Sequence, residues 1–249
     1  MIIETFNRYE KKYLITASDA ERLFSMLSEH MCCDSYCENG NKYTISNIYY
    51  DTPDSSLIRH SLSKPKYKEK LRLRAYGIPD LDTRVFFEIK KKYKGIVNKR
   101  RSVFTLREAY AFAGQPEDIS LKDYMNPQII KELQYFLTVH KCEPKVYIAY
   151  DRAAYFSTDG DIRISFDSNI RTRRYDLRLE AGDYGDSLIP PEYRVMEIKS
   201  SGNYPLWLCD ILTQLRLSIT GFSKYGTEYN RFIQSGRAIN NTNETRTSK

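Results

Sequence analysis

The sequence predicts an α+β fold: a closed antiparallel β-barrel of about eight strands with amphipathic helices packed on its outside. Three observations predict it. Segments of period two recur along the chain, with charged residues on one parity and aliphatic residues on the other. Cations dominate the charged parity: Lys70, Arg72 and Arg74 in KLRLRAYG, Lys90 and Lys92 beside Glu88 in FFEIKKK, and Arg163 in DIRISFD. At least four further stretches repeat apolar residues at helical spacing, and their stripes need a surface to cover. Like charges on neighbouring strands repel unless an anion compensates them, which suits a sheet closed around a charged lumen. The same pattern also serves a sandwich whose apolar faces meet and whose charges lie in water. The pattern by itself leaves both arrangements open.

The first strand is expected at 6–15, FNRYEKKYLI, with Arg8, Glu10 and Lys12 on its charged parity. Ser18 and Glu21 read as a capping box for a helix over 19–31, carrying Leu23, Phe24, Leu27 and Met31 on one stripe. A polar turn at Glu38 to Asn41 precedes KYTISNIYYDTPD, a strand stopped by an Asp-Thr-Pro turn in which Asp51 is a cap. Strands follow at 66–76 and 83–92, and a turn at Gly95 leads into IVNKRRSVF. Thr105 and Glu108 form a second capping box, whose short helix ends at Gly114. Asn126 and Pro127 open a helix with Ile129, Ile130, Leu133, Phe136 and Leu137 along one side. Strand character returns in KVYIAYDRAAYF, DIRISFDSNIRTRRY and YRVMEIKSS, where Asp167, Glu197 and Lys199 share the charged parity. Pro205 starts a last helix through Leu206, Leu208, Ile211, Leu212 and Leu215. No repeat divides the chain, so residues 1–235 are expected as one domain and 236–249 as a polar, disordered tail.

The 249 residues carry a net charge of +7, which admits a polyanionic partner: phosphates, a membrane surface or nucleic acid. No nucleic-acid-binding motif is present, so nucleic acid is not expected. The five cysteines lack C-x-x-C spacing and His30, His60 and His140 are scattered, so neither disulfides nor a structural zinc site is indicated. No stretch reads as a secretory signal or approaches the roughly 20 apolar residues of a membrane span. A cytoplasmic protein is expected.

YYDTPD at 49–54, followed by an R-x-R strand, an E-x-K strand and a late E-x-K strand, resembles the triphosphate tunnel metalloenzymes. More closely, RYEKKYLI, KLRLRAYG, FFEIKKK, YDRAAYF, DIRISFDSNI, VMEIKSS and GFSKY, taken in order, resemble the VTC domain, the polyphosphate polymerase module of the vacuolar transporter chaperone complex. That domain falls within the triphosphate tunnel metalloenzymes, or CYTH-like superfamily. The resemblance spans residues 6 to 230. It implies a basic tunnel that holds ATP and a growing polyphosphate chain, with a divalent metal, Mn²⁺ or Mg²⁺, on one acidic residue. By motif, the phosphate contacts it implies are Lys12, Arg72, Arg74, Lys90, Lys99, Arg152, Arg163, Lys199, Ser223 and Lys224, and the metal ligand is Glu197. Arg8, Glu10, Glu88, Tyr150 and Arg101 are further candidates, and Arg100 or Arg101 replaces Lys99 if the turn differs by one residue. Two positions depart from the family pattern: Arg8 stands where many tunnel enzymes carry a glutamate, and Gly221 stands where the VTC pattern has a lysine.

The resemblance implies transfer of the γ-phosphate of ATP to polyphosphate. Hydrolysis of inorganic or nucleoside triphosphate, and polyphosphate binding without turnover, are the alternatives. The partners expected are ATP, polyphosphate or triphosphate, and pyrophosphate or orthophosphate, with a separate membrane partner receiving the polymer as a further option. RTRRY at 171–175 reads either as a basic mouth that guides anions or as solvated loop charge.

Overall fold

The computed structural model describes residues 5–34, 42–158 and 160–244, and the side chains of these except 5–8 and 237–244. Among the described residues the order is β1 (Thr5–Thr16), α1 (Ala17–Leu27), β2 (Met31–Cys33), β3 (Tyr43–Asp51), α2 (Ser56–Leu62), β4 (Tyr67–Tyr76), β5 (Arg84–Tyr93), β6 (Ile96–Thr105) and α3 (Leu106–Gly114). There follow α4 (Pro127–His140), β7 (Glu143–Ser157), β8 (Ile162–Arg173), β9 (Asp186–Ser187), β10 (Tyr193–Ser200), α5 (Leu206–Gln214) and α6 (Lys224–Glu244).

All ladders are antiparallel. Pairing runs β7–β3–β4–β5–β6–β1–β10–β8, and β8 pairs back onto the second edge of β7 from Phe156↔Arg163 to Tyr147↔Arg173. The short β2 and β9 extend β7 and β8. β1 is shared between neighbours, its first residues Thr5–Arg8 pairing with β6 and Tyr9–Thr16 with β10.

The apolar parities face outward, under the helices. Leu71, Leu73, Val85, Phe87 and Phe104 pack against Ala109 and Phe112 of α3 and Ile129 and Leu133 of α4. Tyr13, Ile15, Ile164, Phe166, Met196 and Ile198 pack against Leu23 and Leu27 of α1 and Leu208 and Ile211 of α5. Each fully buried aliphatic or aromatic side chain contributes about 1.5–3 kcal/mol. These two cores therefore lie between strands and helices, outside the ring. A third cluster gathers Ile45 and Tyr49 of β3, Ile148 and Tyr150 of β7 and Val195 of β10 on the lumen parity with Ile58 of α2 and Tyr225 of α6. The sandwich arrangement is ruled out, because its core would lie where the charged parity is found.

Several elements differ from the sequence expectation. α1 starts two residues early because Thr16 is the cap: its Oγ1 accepts from the Asp19 amide at 3.0 Å, and the Asp19 carboxylate accepts from Thr16 Oγ1 at 2.8 Å. The Ser18–Glu21 box is not used, and Met31 begins β2. α2 is unexpected from the sequence. Asp51 builds it, accepting from the Leu57 amide at 2.9 Å and the Ile58 amide at 3.0 Å. The Thr105–Glu108 box and the Asn126 cap stand as expected.

α6 carries its backbone through Glu244, so residues 236–244 of the expected disordered tail continue a helix; with no proline after Lys224, extending a formed helix costs little per residue. Residues 245–249, and the turn expected at Glu38 to Asn41, lie outside the described residues. Among the described residues no helix is long and apolar enough to cross a membrane.

Candidate functional site

The charged parities converge on a cavity of about 900 Å³ within the ring, lined by fifteen Lys or Arg and three Asp or Glu. Its chemistry is graded along the strands. β4 presents Lys68, Lys70, Arg72, Arg74 and Tyr76 in turn, and the register sets Lys68 opposite Lys92, Lys70 opposite Lys90, Arg72 opposite Glu88 and Arg74 opposite Phe86. One mouth is lysine, the middle is arginine around a buried carboxylate, and the other mouth is aromatic.

Glu88 holds the middle layer together. It is fully buried and accepts from Arg72 Nε at 2.7 Å and Nη2 at 2.6 Å, with Lys99 Nζ at 3.3 Å, Arg74 Nε at 3.8 Å and Arg101 Nη1 at 4.0 Å. Burial pushes its carboxyl up, but Arg72, Arg74 and Lys99 outweigh this and hold it well below the usual carboxylate range. Arg74 is steadied from the other side, donating from Nε to Asn47 Oδ1 at 2.9 Å and from Nη2 to the Tyr150 hydroxyl at 3.1 Å. Parity settles the β6 ambiguity: Lys99 and Arg101 face the lumen, while Arg100 pairs with Glu132 of α4 at 2.8 Å on the outer face.

Toward the lysine mouth, Glu10 and Glu197 share one cation. Lys12 lies 3.4 Å from Glu10 and 3.7 Å from Glu197; Lys90 donates to Glu10 at 2.7 Å, and Lys199 is 2.7 Å from Glu197. Burial and Glu197 raise the Glu10 carboxyl, yet Lys90, Lys12 and Lys199 bring it down to about 2. Asp167, also fully buried, accepts a bidentate pair from Arg152 at 2.6 and 2.8 Å and a bond from Lys224; against burial, these cations bring it down to about 2.

Folded values below the unfolded values near 4 add stability above that range, and the addition is lost as pH falls through 2. Thermal unfolding followed by circular dichroism is expected to give a steady Tm near pH 5 and a falling one from about pH 4 to 2. A Tm flat across that window would contradict the pairing.

The cation excess acts on the lysines. Burial, with Lys12, Lys90 and Lys68 nearby, pushes Lys70 down to about 7. Burial also pushes Lys99 down to about 7 against the help of Glu88, with Arg74, Arg101 and Arg72 adding to the push. An anion in the lumen restores their protons, so anion binding takes up protons above about pH 7 and weakens as pH rises. Sulfate does not titrate in this window. The rise in Tm it produces is expected to be larger at about pH 6 than at about pH 9; an equal rise at both would contradict the assignment.

The VTC domain profile matches residues 7–233. The chain belongs to the VTC domain family. No curated protein matches it. The VTC domain shares its fold with a Bacillus halodurans protein named as a candidate adenylate cyclase, at 14% identity and a TM-score of 0.56, over 89% of this chain and 96% of that one. It also resembles the Hippeastrum candidate adenylyl cyclase HpAC1, described as having a dominant triphosphatase activity, at 15% identity and a TM-score of 0.51, over 88% and 93% of the two chains. The architecture is that of the triphosphate tunnel proteins.

Within this VTC domain, Lys12, Arg72, Arg74, Lys90, Lys99, Arg152, Arg163, Lys199, Ser223 and Lys224 all line the one cavity, with Glu10, Glu197, Arg101 and Tyr150. Arg163 pairs with Asp34 at 3.1 Å, and Ser223 accepts from Lys70 Nζ at 2.8 Å. The Arg8 side chain lies outside the described residues. RTRRY fits neither reading offered for it. Arg171 pairs with Asp151 and Asp183, Arg173 is capped by backbone carbonyls, and Arg174 forms a bidentate pair with Glu228. Sequence reasoning gave no site role to Lys68, Lys70, Lys92, Asn47 or the aromatic rim. The lysines share the parity already noticed, but the β3 and rim residues carry no charge, so a search for charge passes over them.

Proposed function

We propose that this VTC domain transfers the γ-phosphate of ATP to a polyphosphate chain. The observation that carries the reading is the state of the lumen carboxylates: Glu10, Glu88, Glu197 and Asp167 are each ion-paired and held ionised. Carboxyls lowered this far are weak general bases for activating water. A terminal phosphate oxygen is already anionic and needs no base. It attacks the γ-phosphorus, the bond to the β–γ bridging oxygen breaks, and ADP leaves with that electron pair.

The side chains position and neutralise. Arginine forks suit paired phosphate oxygens, and lysines act as mobile point charges. Arg74 is held ready by Asn47 and Tyr150. Lys70 and Lys99 gain protons as phosphate enters, so neither remains a base for water. Glu197, with Glu10 beside it, offers hard oxygen donors for Mn²⁺ or Mg²⁺, which is commonly held by one or two carboxylates together with substrate phosphates and which neutralises phosphate charge when bound. Among the described residues no group of three or more His, Cys, Asp or Glu stands together, which fits an ion held partly by its substrate.

Incubation of the purified protein with ATP and Mn²⁺ tests the reading. Long-chain polyphosphate with ADP is the expected result. Orthophosphate alone would replace polymerase by triphosphatase, and no turnover with tight polyphosphate binding would replace it by a binding module.

A further inference from the structure

The mouth opposite the lysines is built from rings. Tyr76 and Phe86 end the lumen-facing rows of β4 and β5, their centroids 5.9 Å apart in an edge-on pair, and Tyr43 of β3 stands 6.1 Å from Tyr76. Phe156 of β7 also lines this end. Two guanidiniums lie over rings here, Arg101 4.5 Å from the centroid of Phe86 and Arg163 4.9 Å from that of Phe156. The Nε atoms of both arginines are buried with no hydrogen-bond partner, so each carries an unmet donor.

A polyphosphate chain is anionic along its whole length and gains nothing from an apolar rim. The lysine mouth shows the lining such a polymer favours. Rings with arginines laid across them are instead the lining that stacks nucleobases, whatever the base, because every base has a π-face. The spacing agrees. Along β4, Arg74 and Arg72 lie about 7 and about 13 Å inward of Tyr76, the order in which a nucleoside triphosphate presents base, sugar and phosphates.

The geometry points to the rim of Tyr43, Tyr76 and Phe86, braced by Arg101, as a nucleobase platform that seats a nucleoside triphosphate base-outward with its phosphates in the arginine layer. This inference rests on the nucleotide reading above and adds an orientation: nucleotide at the aromatic mouth, polymer at the lysine mouth.

Calorimetric titration with ATP and with tripolyphosphate separates base from phosphate. Tyr76→Ala and Phe86→Ala are expected to weaken ATP roughly ten-fold each while leaving tripolyphosphate within about two-fold, and Tyr76→Phe is expected to keep ATP affinity. Tyr76 is 40% exposed, so its variant keeps the core and carries the test even if Phe86→Ala fails to fold. Unchanged ATP affinity overturns the platform, and so does an equal loss of both ligands. If the unaltered protein binds neither ligand, the anion-tunnel reading itself falls; tripolyphosphate binding that persists, with ATP insensitive to the rim, removes the platform alone.

Discussion

Arg74→Ala is expected to lower kcat/KM for ATP by about a hundred- to a thousand-fold, the range found when one preorganised donor to a developing oxyanion is removed. Arg74 is 6% exposed, and its plane is fixed by hydrogen bonds to Asn47 Oδ1 and the Tyr150 hydroxyl, so on the proposed reading the guanidinium would meet phosphate without reorganising. Arg74→Lys should recover only part of the loss, since an ammonium cannot make the paired contact. The fold should survive, because Glu88 keeps Arg72 and Lys99 when Arg74 is gone. Steady-state kinetics alongside a thermal melt read both effects. Activity within a few-fold of the unaltered protein would remove Arg74 from the phosphate site. Arg152 makes the contrast: its fork is committed to Asp167, so Arg152→Ala should show first as lost stability, by about 3–5 kcal/mol for a broken buried pair.

The sequence made the inward direction of charge legible only in part. The parity of Lys70, Arg72 and Arg74 marked a cationic face, but one face of a strand does not say which side is enclosed. What decides it is long-range: β7, besides its hairpin with β8, must meet β3, and β1 must meet β10, pairings that join residues far apart in the chain, as between Tyr43 and Arg152 or Lys12 and Glu197. Helices with strong local signals were readable, Thr105 with Glu108 and Asn126 with Pro127 among them. α2 was not, because its anchor is Asp51, a side chain that the turn sequence already explained.

Period marked the charged faces, and the family resemblance picked site residues out of them together with the neutral Ser223 and Tyr150; the neutral residues of β3 carried neither signal. Asn47 and Tyr43 lie on the lumen side of β3, a strand buried along most of its length whose sequence shows no alternation of charge. Asp167 was readable as inward, but its partners, Arg152 and Lys224, come from elements 15 and 57 residues away.

Glu88→Gln is expected to destabilise the empty protein by about 3 kcal/mol, lowering Tm by roughly 6 to 12 °C for a domain of this size. The substitution keeps the shape of the side chain and removes the one negative charge that Arg72, Arg74, Lys99 and Arg101 all approach. Those cations then repel one another in a buried layer with nothing between them. A bound polyanion supplies the missing charge, so tripolyphosphate should raise the Tm of the variant by more than that of the unaltered protein. An equal rise in both would mean that Glu88 supports the barrel without tuning the anion site. Together with Arg74→Ala this would separate two demands on one layer: crowded guanidiniums need a counter-charge, which Glu88 supplies in the empty barrel, and on the proposed reading a bound phosphate would share that role.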